Sequence, residues 1–182
     1  MVTNEQRVDC VTHGMLSVSL LESFTRAVYS NQRHTTTIGQ FYDSFQATHQ
    51  SERFRPFNEG VLLAFMYLGI LFPREKWSHL IPKADLSVWG ITPRRLSFPK
   101  KPNPSLFDLV RRIRNSLGHA SPTIDVPTGT TPTNIASQVT VTFRDKNKSD
   151  PADVFEIELS LKQALHLAKM LHKTVLEDLS QP

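Results

Sequence analysis

The stretch Ser105 to Ala120, SLFDLVRRIRNSLGHA, constrains the chain more than any other, because it demands a partner surface. Ser105 followed three residues later by Asp108 is a capping pair. The serine hydroxyl takes an orphan amide of the first turn, and the acid complements the positive end of the helix dipole. This predicts a helix starting at about Leu106. At about 100° per residue, Leu106, Leu109, Val110, Ile113, Leu117 and Ala120 fall within an arc of roughly 100°. Such an arc is stable only against other apolar elements, so the rest of the chain must supply them. The opposite arc collects Asp108, Arg111, Arg112, Arg114, Asn115, Gly118 and His119 and reads as a polar, basic face, with Phe107 its one large apolar residue. Gly118 lies between Arg114 and His119 in projection and leaves a notch there. Its presence fits either close approach of another group or a helix near its end, since Ser121-Pro122 follows.

Read in order, residues 1–13 are polar and are expected to form an N-terminal arm. Leu16, Val18, Leu20, Leu21, Phe24, Ala27 and Val28 make a broad helical stripe, the first helix. The threonines Thr35 to Thr37 can cap a second helix near 38–50, whose Ile38, Phe41, Tyr42 and Phe45 form an aromatic face, either core or a base-stacking platform. A third helix over 59–72 is apolar on nearly every side and is expected to be buried. Glu59 at its first turn either compensates the dipole or faces Arg114 or Arg111. Pro73 should break that run and start a short helix through Glu75, Trp77 and Leu80.

Between Pro82 and Pro104 the chain is punctuated by proline and carries Lys83, Arg94, Arg95, Lys100 and Lys101 with Trp89 and Phe98 interleaved. It reads as a connector that either binds a phosphate backbone or is a solvated linker. A second Pro/Thr-rich loop covers 121–134. Residues 135–143 and 153–159 alternate apolar and polar as strands do, and the polar run 145–151 between them makes a hairpin. A two-stranded hairpin is marginal alone, so it must pack on the bundle or pair with another chain. Ser160 and Gln163 cap a final amphipathic helix over 161–179. No internal repeat interrupts this order, and the whole reads as one domain.

At 182 residues the chain can bury a real core, and a net charge of +4 with a pI near 9.4 fits a polyanionic partner. The single cysteine, Cys10, allows no internal disulfide and suits a reducing cytoplasm. Glu5, Arg7 and Asp9 interrupt any apolar leader, and the most apolar run, 61–72, is too short for the roughly 20 residues a membrane helix needs. The seven histidines show no metal-ligand spacing, and neither a Gly-rich phosphate loop nor a G-x-S-x-G elbow is present.

Arg114-Asn115-Ser116-Leu117-Gly118-His119 resembles the R-N-x-x-x-H motif of HEPN domains, small helical modules many of which are metal-independent ribonucleases. The resemblance implies a mainly α fold, a HEPN-like antiparallel bundle of four to five helices over 14–120 ending in the motif helix, followed by the small C-terminal β-hairpin. It implies Arg114, Asn115 and His119 as catalytic residues, with RNA as substrate and neither metal nor cofactor required. In that setting Arg111, Arg94, Arg95, Lys100 and Lys101 are expected to bind phosphate. RNA carries its own nucleophile, the 2′-hydroxyl, so the protein need only move protons and stabilise charge, tasks suited to histidine and arginine. One copy supplies one histidine, and HEPN ribonucleases commonly dimerise, so the resemblance implies a homodimer with a composite site. It also implies a cytoplasmic role in defence, abortive infection or a toxin-antitoxin pair, with an antitoxin or regulatory partner and no membrane. Two other readings stay open: a non-catalytic HEPN-like RNA- or nucleotide-binding regulatory module, and a purely structural interaction protein.

Overall fold

The computed structural model describes residues 4–30, 34–50, 58–119, 121–130, 134–147 and 149–180. It is mainly helical with one small antiparallel sheet. The chain divides into two compact units, one ending at Ala64 and the other beginning at Phe65.

The first unit holds α1 (Asn4–Val28), α2 (Ile38–His49) and most of α3 (Glu59–Met66). The expected N-terminal arm is instead the start of α1. Its Glu5, Gln6 and Arg7 are good helix formers and continue the helix rather than stopping it. Thr37 caps α2 through a full capping box with Gln40. Phe24 and Phe41 meet edge to face at 5.8 Å, and Asn58 caps α3 while donating to Ser17 at 2.9 Å. Ala64 is the last residue of this unit. Of the α1 stripe, Val18, Leu21, Phe24 and Val28 stay exposed, so its apolar arc is wider than its packing.

In the second unit the run that begins in α3 does not break at Pro73. A π-helical turn, Tyr67–Leu71, leads into α4 (Phe72–Trp77). Proline lacks an N–H and its ring crowds the preceding turn, and the wider i to i+5 turn accommodates both defects. The run is also not buried all round: Ile70 and Met66 are inaccessible, whereas Leu68 is 73% exposed. Gly69 permits the close approach of this turn to α7 (Leu161–Leu179), because a Cβ there would lie 3.1 Å from the Ala168 Cβ.

The motif helix is α5 (Leu106–Gly118), with Ser105 and Asp108 forming the expected capping box. Burial pushes the Asp108 carboxyl up, but hydrogen bonds from Lys101 and Ser105 outweigh it and hold the group below the ordinary aspartate range. Leu106, Leu109, Val110, Ile113 and Leu117 are all inaccessible, as the arc requires; Ala120 lies outside the described residues. The opposite face is not simply solvated. Asp108, Arg112 and Ser116, each four apart, form a second buried stripe.

Arg112 and Ser116 of that stripe meet the sheet, whose strand order is β1 (Arg95–Ser97), β4 (Val154–Ser160), β3 (Thr140–Lys146), β2 (Thr123–Asp125). The predicted hairpin is its centre, gaining edge strands from the two proline-rich loops. Residues 135–138 are helical (α6, Ile135–Gln138) rather than the start of the strand. Val141, Phe143, Phe155, Ile157 and Leu159 point into the core, with Val141 opposite Leu159 and Phe143 opposite Ile157. Beyond the short β2, the Arg144 N–H donates to the Ser116 hydroxyl at 3.0 Å, satisfying a strand amide with a helix side chain.

Arg112 ties helix to hairpin. Its side chain is 5% exposed, with Nε 3.0 Å from Asp145 Oδ2 and Nη1 donating to Asp153 Oδ2 at 3.1 Å. Nη2 donates to the carbonyls of Asp145 and Asp153, and the guanidinium packs against Phe98 and Phe155. Removing one partner of a buried ion cluster leaves uncompensated charge, at a cost of about 3–5 kcal/mol. Arg112→Ala is therefore expected to lower unfolding free energy by about that much in urea titration, well beyond the cost of truncating an exposed arginine.

Candidate functional site

Where α5 ends beside the start of the hairpin turn, a cleft of about 600 Å³ opens. Arg111, Arg114, Asn115 and His119 line it from α5, Arg74 and Glu75 from α4, and Asp145, Lys146, Asn147 and Asp153 from the hairpin. With the buried Arg112, five cations face three carboxylates, so the cleft is net positive. Arg74 records this crowding. Burial pulls its guanidinium below the ordinary value, Glu75 opposes that, and Arg114 and Arg111 add to it.

His119 is the residue at which α5 stops. Its N–H still donates to the Asn115 carbonyl at 3.0 Å, but its backbone has left the helix, and its side chain is 60% exposed. Its Nδ1 lies 3.8 Å from Asp145 Oδ1. Asn115 bridges its neighbours: Nδ2 donates to Asp145 Oδ2 at 3.0 Å, and Oδ1 accepts from Arg114 Nη1 at 3.1 Å. Arg114 in turn donates through Nε to Glu75. That hydrogen bond holds the Glu75 carboxyl below the ordinary glutamate range, which keeps it ionised at neutral pH. A Cβ at Gly118 would meet nothing within 4 Å, so there is open space beside this glycine.

The structure brings Arg111, Arg114, Asn115 and His119 together and leaves the connector cations elsewhere. Arg94 donates to Thr140 at 2.6 Å and to the Ser137 carbonyl, and Arg95 lies 3.5 Å from Glu156. Lys100 pairs with Asp150 and Lys101 with Asp108. None of the four lines the cleft. Trp89 and Phe98 of the same connector are core residues, so it is not a solvated linker. The glutamate facing Arg114 is Glu75; the Glu59 side chain lies outside the described residues.

Asp145 was not legible as a site residue, yet a signal was present. The inward phase of β3 runs Val141, Phe143 and then Asp145, and that of β4 runs back from Phe155 to Asp153. A carboxylate at a core phase needs a buried partner, and both find Arg112.

A family model described as HEPN pEK499 p136 matches residues 5–181. The chain belongs to the HEPN family. No curated protein and no solved structure gave a match. Among the described residues of this HEPN domain, no cluster of His, Cys, Asp and Glu is arranged to hold a metal ion, and no helix is long and apolar enough to cross a membrane.

Because Glu75 occupies Arg114 in an exposed ion pair, an incoming anion must displace it. Glu75→Gln is expected to tighten inorganic phosphate binding at the cleft a few-fold, read from titration of the Arg114 side-chain NMR signals, with little change in thermal midpoint.

Proposed function

We propose that this HEPN domain is a metal-independent endoribonuclease. The observation that carries the reading is that Arg114, Asn115 and His119 line one net-positive cleft. In the reaction a base removes the 2′-hydroxyl proton, the P–O2′ bond forms, and the P–O5′ bond breaks as an acid protonates the leaving oxygen. The products are a 2′,3′-cyclic phosphate and a 5′-hydroxyl. His119 performs one proton transfer. Arg114, released from Glu75, stabilises charge on the phosphorane, and Asn115 keeps both in place. The second proton transfer comes from a second copy of the chain, so the active species is a homodimer with a composite site. A nuclease of this kind needs restraint, which fits a cytoplasmic defence, abortive-infection or toxin-antitoxin role with an antitoxin or regulatory partner.

His119→Ala and Arg114→Ala are each expected to abolish cleavage of total RNA in EDTA while circular dichroism stays unchanged. Persistent activity in both would sink the assignment. The occupied state of Arg114 favours a second reading, a non-catalytic RNA- or nucleotide-binding regulatory module. Wild-type protein that binds RNA and cleaves nothing in the same assay would select it.

In this reading Arg111 and Lys146 make the principal contacts to the phosphate backbone. Arg94, Arg95, Lys100 and Lys101 are secondary because each is engaged within the chain. Reversing Arg111 and Lys146 should flatten the salt dependence of RNA binding by about 0.7 per lost contact, and reversing the four connector cations should flatten it less. Filter binding across a salt series measures both slopes.

A further inference from the structure

Resting on the RNA-cleaving reading of the cleft, we propose that Asp145 is the positioning residue for His119, selecting the tautomer that leaves Nε2 to exchange protons with the substrate. Asp145 is set by two independent constraints. Strand alternation points it inward from β3, where its side chain is 3% exposed, and Arg112 and Asn115 both engage Oδ2. Oδ1 lies 3.8 Å from Nδ1 of the exposed His119 ring, and selecting the tautomer requires the ring to turn so that the two form a hydrogen bond. A carboxylate only accepts hydrogen bonds, so the neutral imidazole facing it carries its proton on Nδ1 and leaves Nε2 bare. Aspartate does for this histidine what an outer carboxylate does for a metal-bound or triad histidine: it sets orientation and tautomer without touching substrate.

The geometry makes Asp145→Asn informative. Asn115 presents an N–H to the Oδ2 position and the Arg112 guanidinium lies 3.0 Å from it, so the amide oxygen takes that place and the NH2 turns towards His119 Nδ1. A donor then faces Nδ1, and the favoured tautomer becomes Nε2–H.

The test is ¹⁵N NMR of the full chain's imidazoles at a pH where the ring is neutral, with His119 assigned by its loss in His119→Gln. The expected result is Nδ1–H for wild type and Nε2–H for Asp145→Asn, with kcat for RNA cleavage falling about 10- to 100-fold and KM little changed. A wild-type ring in the Nε2–H form overturns the proposal, as does a folded Asp145→Asn protein whose tautomer is unchanged. If Asp145→Asn does not fold, the wild-type spectrum decides alone. An inactive wild type with the Nδ1–H ring would sink the ribonuclease reading and leave the Asp145 assignment standing.

Discussion

The second unit depends on one buried charge. Arg112 leaves α5 in what would be an expensive position for a guanidinium, and two carboxylates from the two strands of the hairpin, with their backbone carbonyls, make that position tolerable. Because the partners come from Asp145 at the end of β3 and Asp153 just before β4, the cluster closes the hairpin turn and docks it on the helix in one set of contacts. Phe98 and Phe155, themselves edge to face at 5.5 Å, exclude water from the guanidinium and strengthen each contact.

The cleft follows from that docking. Asp145 cannot hold Arg112 without also presenting its carboxylate to Asn115, three residues further along the helix, and to His119, just past its end. The groups that face the solvent are therefore aligned by a group that does not. Arg114 differs in that, besides its bond to Asn115, it is held by an exposed glutamate from α4. An exposed pair of this kind is worth little and yields readily to a phosphate, whereas the buried one does not. The cleft thus combines a rigid wall with a movable cation.

Much of the architecture was readable in advance because it is governed by short-range rules. The capping boxes at Thr37 and Ser105, the side-chain cap at Ser160, the apolar arc of α5 and the alternation of the hairpin depend only on residues a few positions apart. The errors have one source. The N-terminal arm and the polar face of α5 were read from local polarity, and polarity does not say whether a partner exists elsewhere in the chain. Arg112 finds its partners 33 and 41 residues downstream, and Lys100 finds Asp150 50 residues away.

By itself the sequence determined that α5 is a capped amphipathic helix, that Arg114, Asn115 and His119 lie near its end, and that a hairpin and a last helix follow. Those features are set by helical and strand periodicity, which is local. Only the tertiary structure decided which polar residues of α5 are buried, that Glu75 meets Arg114, and that Asp145 stands behind His119. Each of these is a long-range pairing of charges, and its energy depends on burial and distance that no stretch of chain carries alone.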